Sequence, residues 1–156
     1  PDNGGVEALT ALSDGRIVAI SEEYSLRRNT LVGWIGRPIG PDRYLWDMFE
    51  YMKIPNFSPT AIRELPDGSF VVLERAFDMV RGVRVRVMQF PGSALKADAI
   101  VDAEELARLA SPYAVDNLEG LAATTGERGE TLLWMIADDN FNPLQRSLLL
   151  LFELAK

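Results

Sequence analysis

GVEALTALSDGRIVAISEE (residues 5–23), PTAIRELPDGSFVVLER (59–75) and NLEGLAATTGERGETLLWMIADDN (117–140) are three writings of one phrase. Each opens with a polar residue and a small-apolar pair: Glu7-Ala8-Leu9, Thr60-Ala61-Ile62 and Glu119-Gly120-Leu121. Each then crosses a polar turn and resumes as an apolar, β-rich run, which is the pattern of a β-hairpin. The first two copies align without a gap. Asp14-Gly15 falls on Asp67-Gly68, 53 residues on, and Ile17-Val18-Ala19-Ile20 falls on Phe70-Val71-Val72-Leu73. The third copy carries its extra length at the turn, Thr125 to Thr131.

Self-similarity at this period fixes architecture before any single residue does. Between hairpins there is room for two further strands, so the chain reads as all-β, with three four-stranded antiparallel blades over residues 5–53, 59–101 and 117–154. In the first unit Leu31 to Ile35 and Tyr44 to Lys53 supply the outer strands, with Gly33, Gly36, Pro38, Gly40 and Pro41 as punctuation between them. In the second, Val83 to Phe90 alternates valines with Arg84 and Arg86, the period of a strand with one buried and one wet face; Ala97 to Val101 is its fourth strand. Asp102 to Ala110 reads as one short inter-blade helix, with Asp102 as N-cap, Glu105 at N3 and Pro112 beyond its end. The third unit has strands at 118–123, 132–137 and 147–154 and lacks a fourth. Residues 1–156 are thus one partial domain, half of a six-bladed β-propeller, with missing N-terminal blades or a second copy expected to cover its open edges.

Composition narrows the chemistry. Sixteen basic residues against 23 acidic ones give a net charge of −7, which argues against nucleic acid and favours cations and cationic partners. With no histidine in the chain, a Ser-His-Asp triad and a histidine-bound zinc are excluded. The absence of cysteine leaves the redox compartment open. Any acid or base is a carboxylate, and electrostatic help comes from arginine, lysine or a metal. No apolar run approaches the roughly 20 residues that span a bilayer, and Leu148 to Phe152 reads as a buried strand.

A hairpin returns its second strand to the level at which the first began. That geometry groups Glu7 with Ser21, Glu22 and Glu23; Thr60 with Glu74 and Arg75; and Asn117 and Glu119 with Asp138, Asp139 and Asn140, all at one mouth of a propeller channel. Convergent carboxylates repel unless a hard cation, an arginine or a raised pKa offsets the repulsion. Glu7, Glu119, Asp138 and Asp139 are the candidate Ca²⁺ ligands, and Arg75 is the candidate counter-charge or oxyanion binder. The same acidic residues also suit a solvated strand end, and Asp138-Asp139-Asn140 suits a turn. Asp14-Gly15 and Asp67-Gly68, at the opposite end, are turn chemistry. Trp34, Trp46 and Trp134 suit either sugar stacking or packing between blades.

The third unit, Asn117-Leu-Glu-Gly-Leu-Ala followed by Ile136-Ala-Asp-Asp-Asn-Phe-Asn-Pro-Leu-Gln-Arg-Ser and the leucine run, resembles the closing segment of the bacterial "esterase-like activity of phytase" family. The two earlier hairpins look like that family's preceding segments. The resemblance implies an exported, periplasmic or secreted, phytase-like propeller; together with the acidic cluster it gives the expectation of a hydrolase of phosphate or other esters with Ca²⁺ assistance. The matching positions are Asn117, Glu119, Gly120, Asp138, Asp139, Asn140, Gln145 and Arg146. The expected roles are then Glu119, Asp138 and Asp139 as catalytic residues, Arg75, Arg146, Asn117 and Asn140 as substrate-binding residues, and a small ester or phosphate as the partner. The other expectation, from a different class, is a non-catalytic propeller whose rim binds protein or carbohydrate.

Overall fold

In a computed structural model, which describes residues 5–113, 115–141 and 145–155, the chain forms twelve strands in three sheets. The first sheet holds β1 (Val6–Ala11), β2 (Ile17–Ser21), β3 (Thr30–Gly40) and β4 (Arg43–Met52), with β8 (Ile100–Val101) at its edge. The second runs β5 (Ser58–Glu64), β6 (Phe70–Asp78), β7 (Gly82–Phe90) and β9 (Glu104–Leu109). The third is β10 (Leu118–Thr125), β11 (Thr131–Ala137) and β12 (Leu148–Leu154). All-β is therefore correct, but the sheets have five, four and three strands and are not three four-stranded blades.

The three repeated phrases are the three hairpins β1-β2, β5-β6 and β10-β11. Their turns close by the same two backbone bonds. Leu12 and Leu65 N–H donate to Arg16 and Ser69 carbonyls, and Gly15 and Gly68 N–H donate back to Leu12 and Leu65. Gly15 and Gly68 sit at φ +86° and +79°, a conformation that glycine adopts without steric cost. The third turn uses the same pair of bonds through Gly126 and Gly129. Its expected extra length lies in the strands instead: β10 has eight residues where β1 has six.

Period-two alternation makes the core. One face of the second sheet sends Ile62, Phe70, Val72, Met88 and Phe90 against Ala8, Val18, Ile20, Phe49 and Tyr51 of the first. Its other face sends Val71, Leu73, Val85 and Val87 against Leu118, Leu133 and Met135 of the third. The middle sheet is thus apolar on both sides, and β5 lies against both β1 and β10. The Phe49 ring lies directly over Gly33, where any Cβ would overlap it. Gly33, Gly36 and Pro38 therefore belong to a long β3, with the turn at Gly40-Pro41-Asp42.

The predicted helix over 102–110 is a strand. β9 pairs antiparallel with β7 from Val85↔Leu109 to Gln89↔Glu104. A helix there would leave the β7 edge unpaired, whereas local helix propensity differs among ordinary residues by only about 0.7 kcal/mol. Among the described residues the only helical element is a 3₁₀ turn at Gly92–Ala94. Residues 97–101 do not complete the second sheet: β8 pairs in parallel with β4, Glu50↔Ile100 and Tyr51↔Val101.

The expected wet face of β7 is also corrected. Arg86 is buried and donates through Nη1 to Glu74 Oε2 at 2.9 Å and through Nε to Glu105 Oε2 at 2.7 Å. Tyr51 donates to the other Glu74 oxygen at 2.8 Å. Arg84, Arg86 and Arg108 surround the Phe57 ring at 5.2–5.8 Å. Burial pushes the Glu74 carboxyl up, against the pull of Arg86 and the Tyr51 hydroxyl. Burial and the Glu74 charge push Tyr51 well above its ordinary value.

Candidate functional site

Each of the three hairpins carries a β-bulge, and the bulges fall at one position of the repeat. The register slips between Val6 and Ala8, between Pro59 and Ala61, and between Leu118 and Gly120. The extra residues are Glu7, Thr60 and Glu119, the polar residues that open the three phrases. A bulge bends its strand and re-aims the side chain it frees. Here it does so at the end of each inner strand remote from the Asp-Gly turn. Gly120 fits this local geometry, because a Cβ there would overlap Ile136.

The bulged ends meet across the sheets. Thr60 donates to the Leu118 carbonyl at 2.9 Å, tying β5 to β10. Arg75 follows Glu74 in β6, so the two side chains point to opposite faces: Glu74 toward Tyr51 of the first sheet, Arg75 toward the third. Arg75 Nη1 lies 3.8 Å from Glu119 Oε1, and the Asn117 side-chain amide donates to the same oxygen. Glu22, whose N–H bonds Gly5 O at 2.9 Å, is half-buried at this end. Its carboxyl is pushed up, first by burial and then by Glu7 and Glu23, with Arg75 pulling it down. The expected grouping of Glu7, Glu22, Glu23, Arg75, Asn117 and Glu119 is therefore present, and Glu74 is not part of it.

The remaining site residues form a second group after β11. Asp139 accepts from Phe141 N–H at 3.0 Å and from Ser147 Oγ at 3.3 Å, which is the turn chemistry weighed for this segment. Asn140 and Phe141 have positive φ, 49° and 55°. Asp138 and Asn140 are exposed, and residues 142–144 of the family motif lie outside the described residues. Arg146 contributes its backbone N–H to Asp116 Oδ2 at 2.8 Å, while its side chain is exposed.

Asp116, absent from the expected set, links the two groups, because its Oδ1 accepts from Asn117 N–H at 2.9 Å. Nothing in its sequence context separates it from other loop aspartates. Asn117 is buried, and its Oδ1 has no partner among the described residues.

The tryptophans divide between packing and exposure. Trp34 stacks on Tyr24 at 6.3 Å, Trp46 is half exposed, and Trp134 Nε1 donates to Thr124 at 3.0 Å.

Among the described residues no three His, Cys, Asp or Glu side chains gather into a group able to hold a metal ion. Asn117 and Arg75 face the Glu119 oxygen that such a centre would need. A cavity of about 650 Å³ lies elsewhere: it opens between the second and third sheets near the turns, lined by Leu65, Val87, Leu109, Leu133 and Phe152.

Three bulged hairpins that gather carboxylates and one arginine at a shared end define an all-β protein with a polar cluster at one end of its hairpins. The chain belongs to the phytase-like family described as esterase-like activity of phytase, whose family model matches residues 1–141. No curated protein and no solved structure matches it. Among the described residues no helix is long and apolar enough to cross a membrane.

Proposed function

We propose that the bulged end is the reaction site of a phytase-like hydrolase built on propeller blades, acting on phosphate or other small esters outside the cytoplasm, in the periplasm or as a secreted protein. The observation that carries this reading is the triple bulge, which repeats a costly irregularity at the three positions holding Glu7, Thr60 and Glu119. Arg75 binds the anionic oxygen of the substrate, exchanging its contact with Glu119 for one with the ester. The freed Glu119 accepts a proton from the attacking water. The water oxygen bonds to phosphorus or the acyl carbon, the ester P–O or C–O bond breaks, and the leaving alcohol takes a proton from a carboxyl that holds one, the role of Glu22. Asp138, Asp139, Asn140 and Arg146 flank the site as further carboxylate and substrate-binding groups, and Asn117 orients Glu119.

Hydrolysis of nitrophenyl phosphate, nitrophenyl acetate and phytate tests this. Activity on at least one, reduced by about 10²-fold or more in Glu119→Gln and in Arg75→Gln, is expected. No turnover, or turnover indifferent to both changes, would overturn it. The non-catalytic binding reading is favoured by one observation: Glu119 is already engaged by Asn117 and Arg75, as a purely structural carboxylate would be. Glu7, Glu119, Asp138 and Asp139 would be the ligands of a Ca²⁺ ion. A thermal-shift titration with Ca²⁺ tests this, because a ligand that binds only the native state raises stability as ln(1 + [L]/Kd); a rise abolished by Glu119→Gln supports it, and no rise at millimolar Ca²⁺ opposes it.

A further inference from the structure

Phe77 stands beside the polar cluster with its ring largely in solvent. β6 pairs with β7 without a break from Phe70↔Phe90 to Asp78↔Gly82, so its side chains alternate between two faces. Val71 and Leu73 face the third sheet, whereas Val72 and Glu74 face the first. Arg75 and Phe77 therefore share the face turned to the third sheet, with Cα atoms about 7 Å apart along the strand. Val83 lies opposite Phe77 and packs on the core between those two sheets, but Phe77 is 67% exposed. The loops at the bulged end continue this composition with the exposed Tyr24, Leu26, Met79, Val80, Tyr113 and Phe141. Among the described residues, the loops at the Asp-Gly end carry no exposed large apolar side chain. Single exposed apolar residues are ordinary. A one-sided set around a few convergent polar groups is the makeup of a ligand site.

Charge limits what the cluster can hold. Arg75 faces the carboxylates of Glu119 and Glu22, and Glu7 and Glu23 act on Glu22 as well. The other basic side chains of this end, Arg27, Arg28, Lys53, Arg81 and Arg146, stand on separate loops, and among the described residues none of them pairs with Glu119 or acts on Glu22. One guanidinium among these carboxylates offsets one anionic group. A polyanion would bring more charge against the carboxylates than Arg75 removes. We propose that Phe77 is the specificity residue of the bulged end, and that the site takes an ester in which one anionic head carries an apolar tail. Arg75 holds the head; Phe77, with the Met79-Val80 tip of the same hairpin beyond it, covers the tail. A tail seated there excludes water beside Arg75 and strengthens its hold on the head. This inference rests on the reading of the bulged end as a hydrolase site and names the substrate class of that site.

Affinities of methyl-, butyl- and octylphosphonate, measured by titration calorimetry on the whole chain, test this, because the three share one head and differ only in the tail. Octylphosphonate is expected to bind at least about 10-fold more tightly than methylphosphonate, a fraction of the gain that full burial of its added methylenes would give. Phytate is expected to bind no more tightly than methylphosphonate. Phe77→Ser brings the octyl affinity down toward the methyl one, while Phe77→Leu keeps the preference; circular dichroism checks that both retain their strands. Arg75→Gln weakens all three ligands. No binding of octylphosphonate, equal affinities across the series, a tail preference untouched by Phe77→Ser, or phytate as the tightest ligand would each overturn the proposal. The readout is binding, so the two ideas fail separately. A tail preference without turnover in the ester assays removes the hydrolase and keeps the apolar subsite, and turnover with equal affinities does the reverse.

Discussion

Replacing Arg86 by methionine tests the account of how the second sheet is held to the first. Glu74 is 2% exposed, with one oxygen on the Tyr51 hydroxyl at 2.8 Å and the other on Arg86 at 2.9 Å. The methionine keeps most of the side-chain volume over Phe57 and removes the charge. Leaving a buried carboxylate without its counter-ion costs about 3–5 kcal/mol. In urea, with a slope of about 2 kcal/mol per molar, the unfolding midpoint falls by about 1.5–2.5 M. The pH dependence carries its own sign. Burial already raises the folded-state pKa of Glu74 above the unfolded value, and Arg86 is the largest influence holding it down. A raised carboxyl contributes stability that is complete below the unfolded pKa and is lost as pH rises through the folded one. Removing Arg86 moves the folded value further up, so the destabilisation is largest at pH 7 and shrinks toward pH 5. Adding Glu74→Gln to the Arg86→Met background removes the stranded charge and recovers part of the loss. An unchanged midpoint at pH 7, or a loss equal at pH 5 and pH 7, would refute the reasoning.

Three further outcomes follow from packing and from the site. Gly33→Ala forces Phe49 off its position and costs about 1–3 kcal/mol by overpacking, read as a lower Tm; a neutral change would show that the ring moves freely. Thr60→Val keeps the shape but strands the Leu118 carbonyl, at a cost of about 1–3 kcal/mol in chemical denaturation, and a stability equal to wild type would remove that bond from the account of how β5 holds β10. Arg75→Gln takes away the one influence that lowers Glu22, so the carboxyl of Glu22, followed by carbon-detected NMR, titrates at higher pH than in the wild type. An unmoved titration midpoint would place Arg75 too far away to act on it.

Strand content and the hairpins were legible because they rest on local chemistry. Asp-Gly with its following strand selects a tight turn wherever it occurs, and alternating apolar residues select one buried face. The one end at which Glu7, Glu22, Arg75, Asn117 and Glu119 gather was legible too, since antiparallel pairing alone returns the second strand to the start of the first. The fate of residues 102–110 was not. Asp102 and Glu105 satisfy the start of a helix as a local matter, but the free edge of β7 and the buried Arg86 are non-local and take Glu105 for themselves. Glu74 and Arg75 illustrate the same divide. Adjacent in sequence and alike in polarity, they are separated by the pleat, one into a buried cross-strand ion pair on the face turned to the first sheet and one toward the site.

By itself, then, the sequence determined an all-β repeat chain with acidic hairpin ends, because turn and strand preferences act over a few residues. Tertiary structure alone decided the count of strands per sheet, the bulges that free Glu7, Thr60 and Glu119, and the pairing of Arg75 with Glu119. Each of these depends on which edges and charges meet across sheets, and nothing within a single repeat encodes its neighbour.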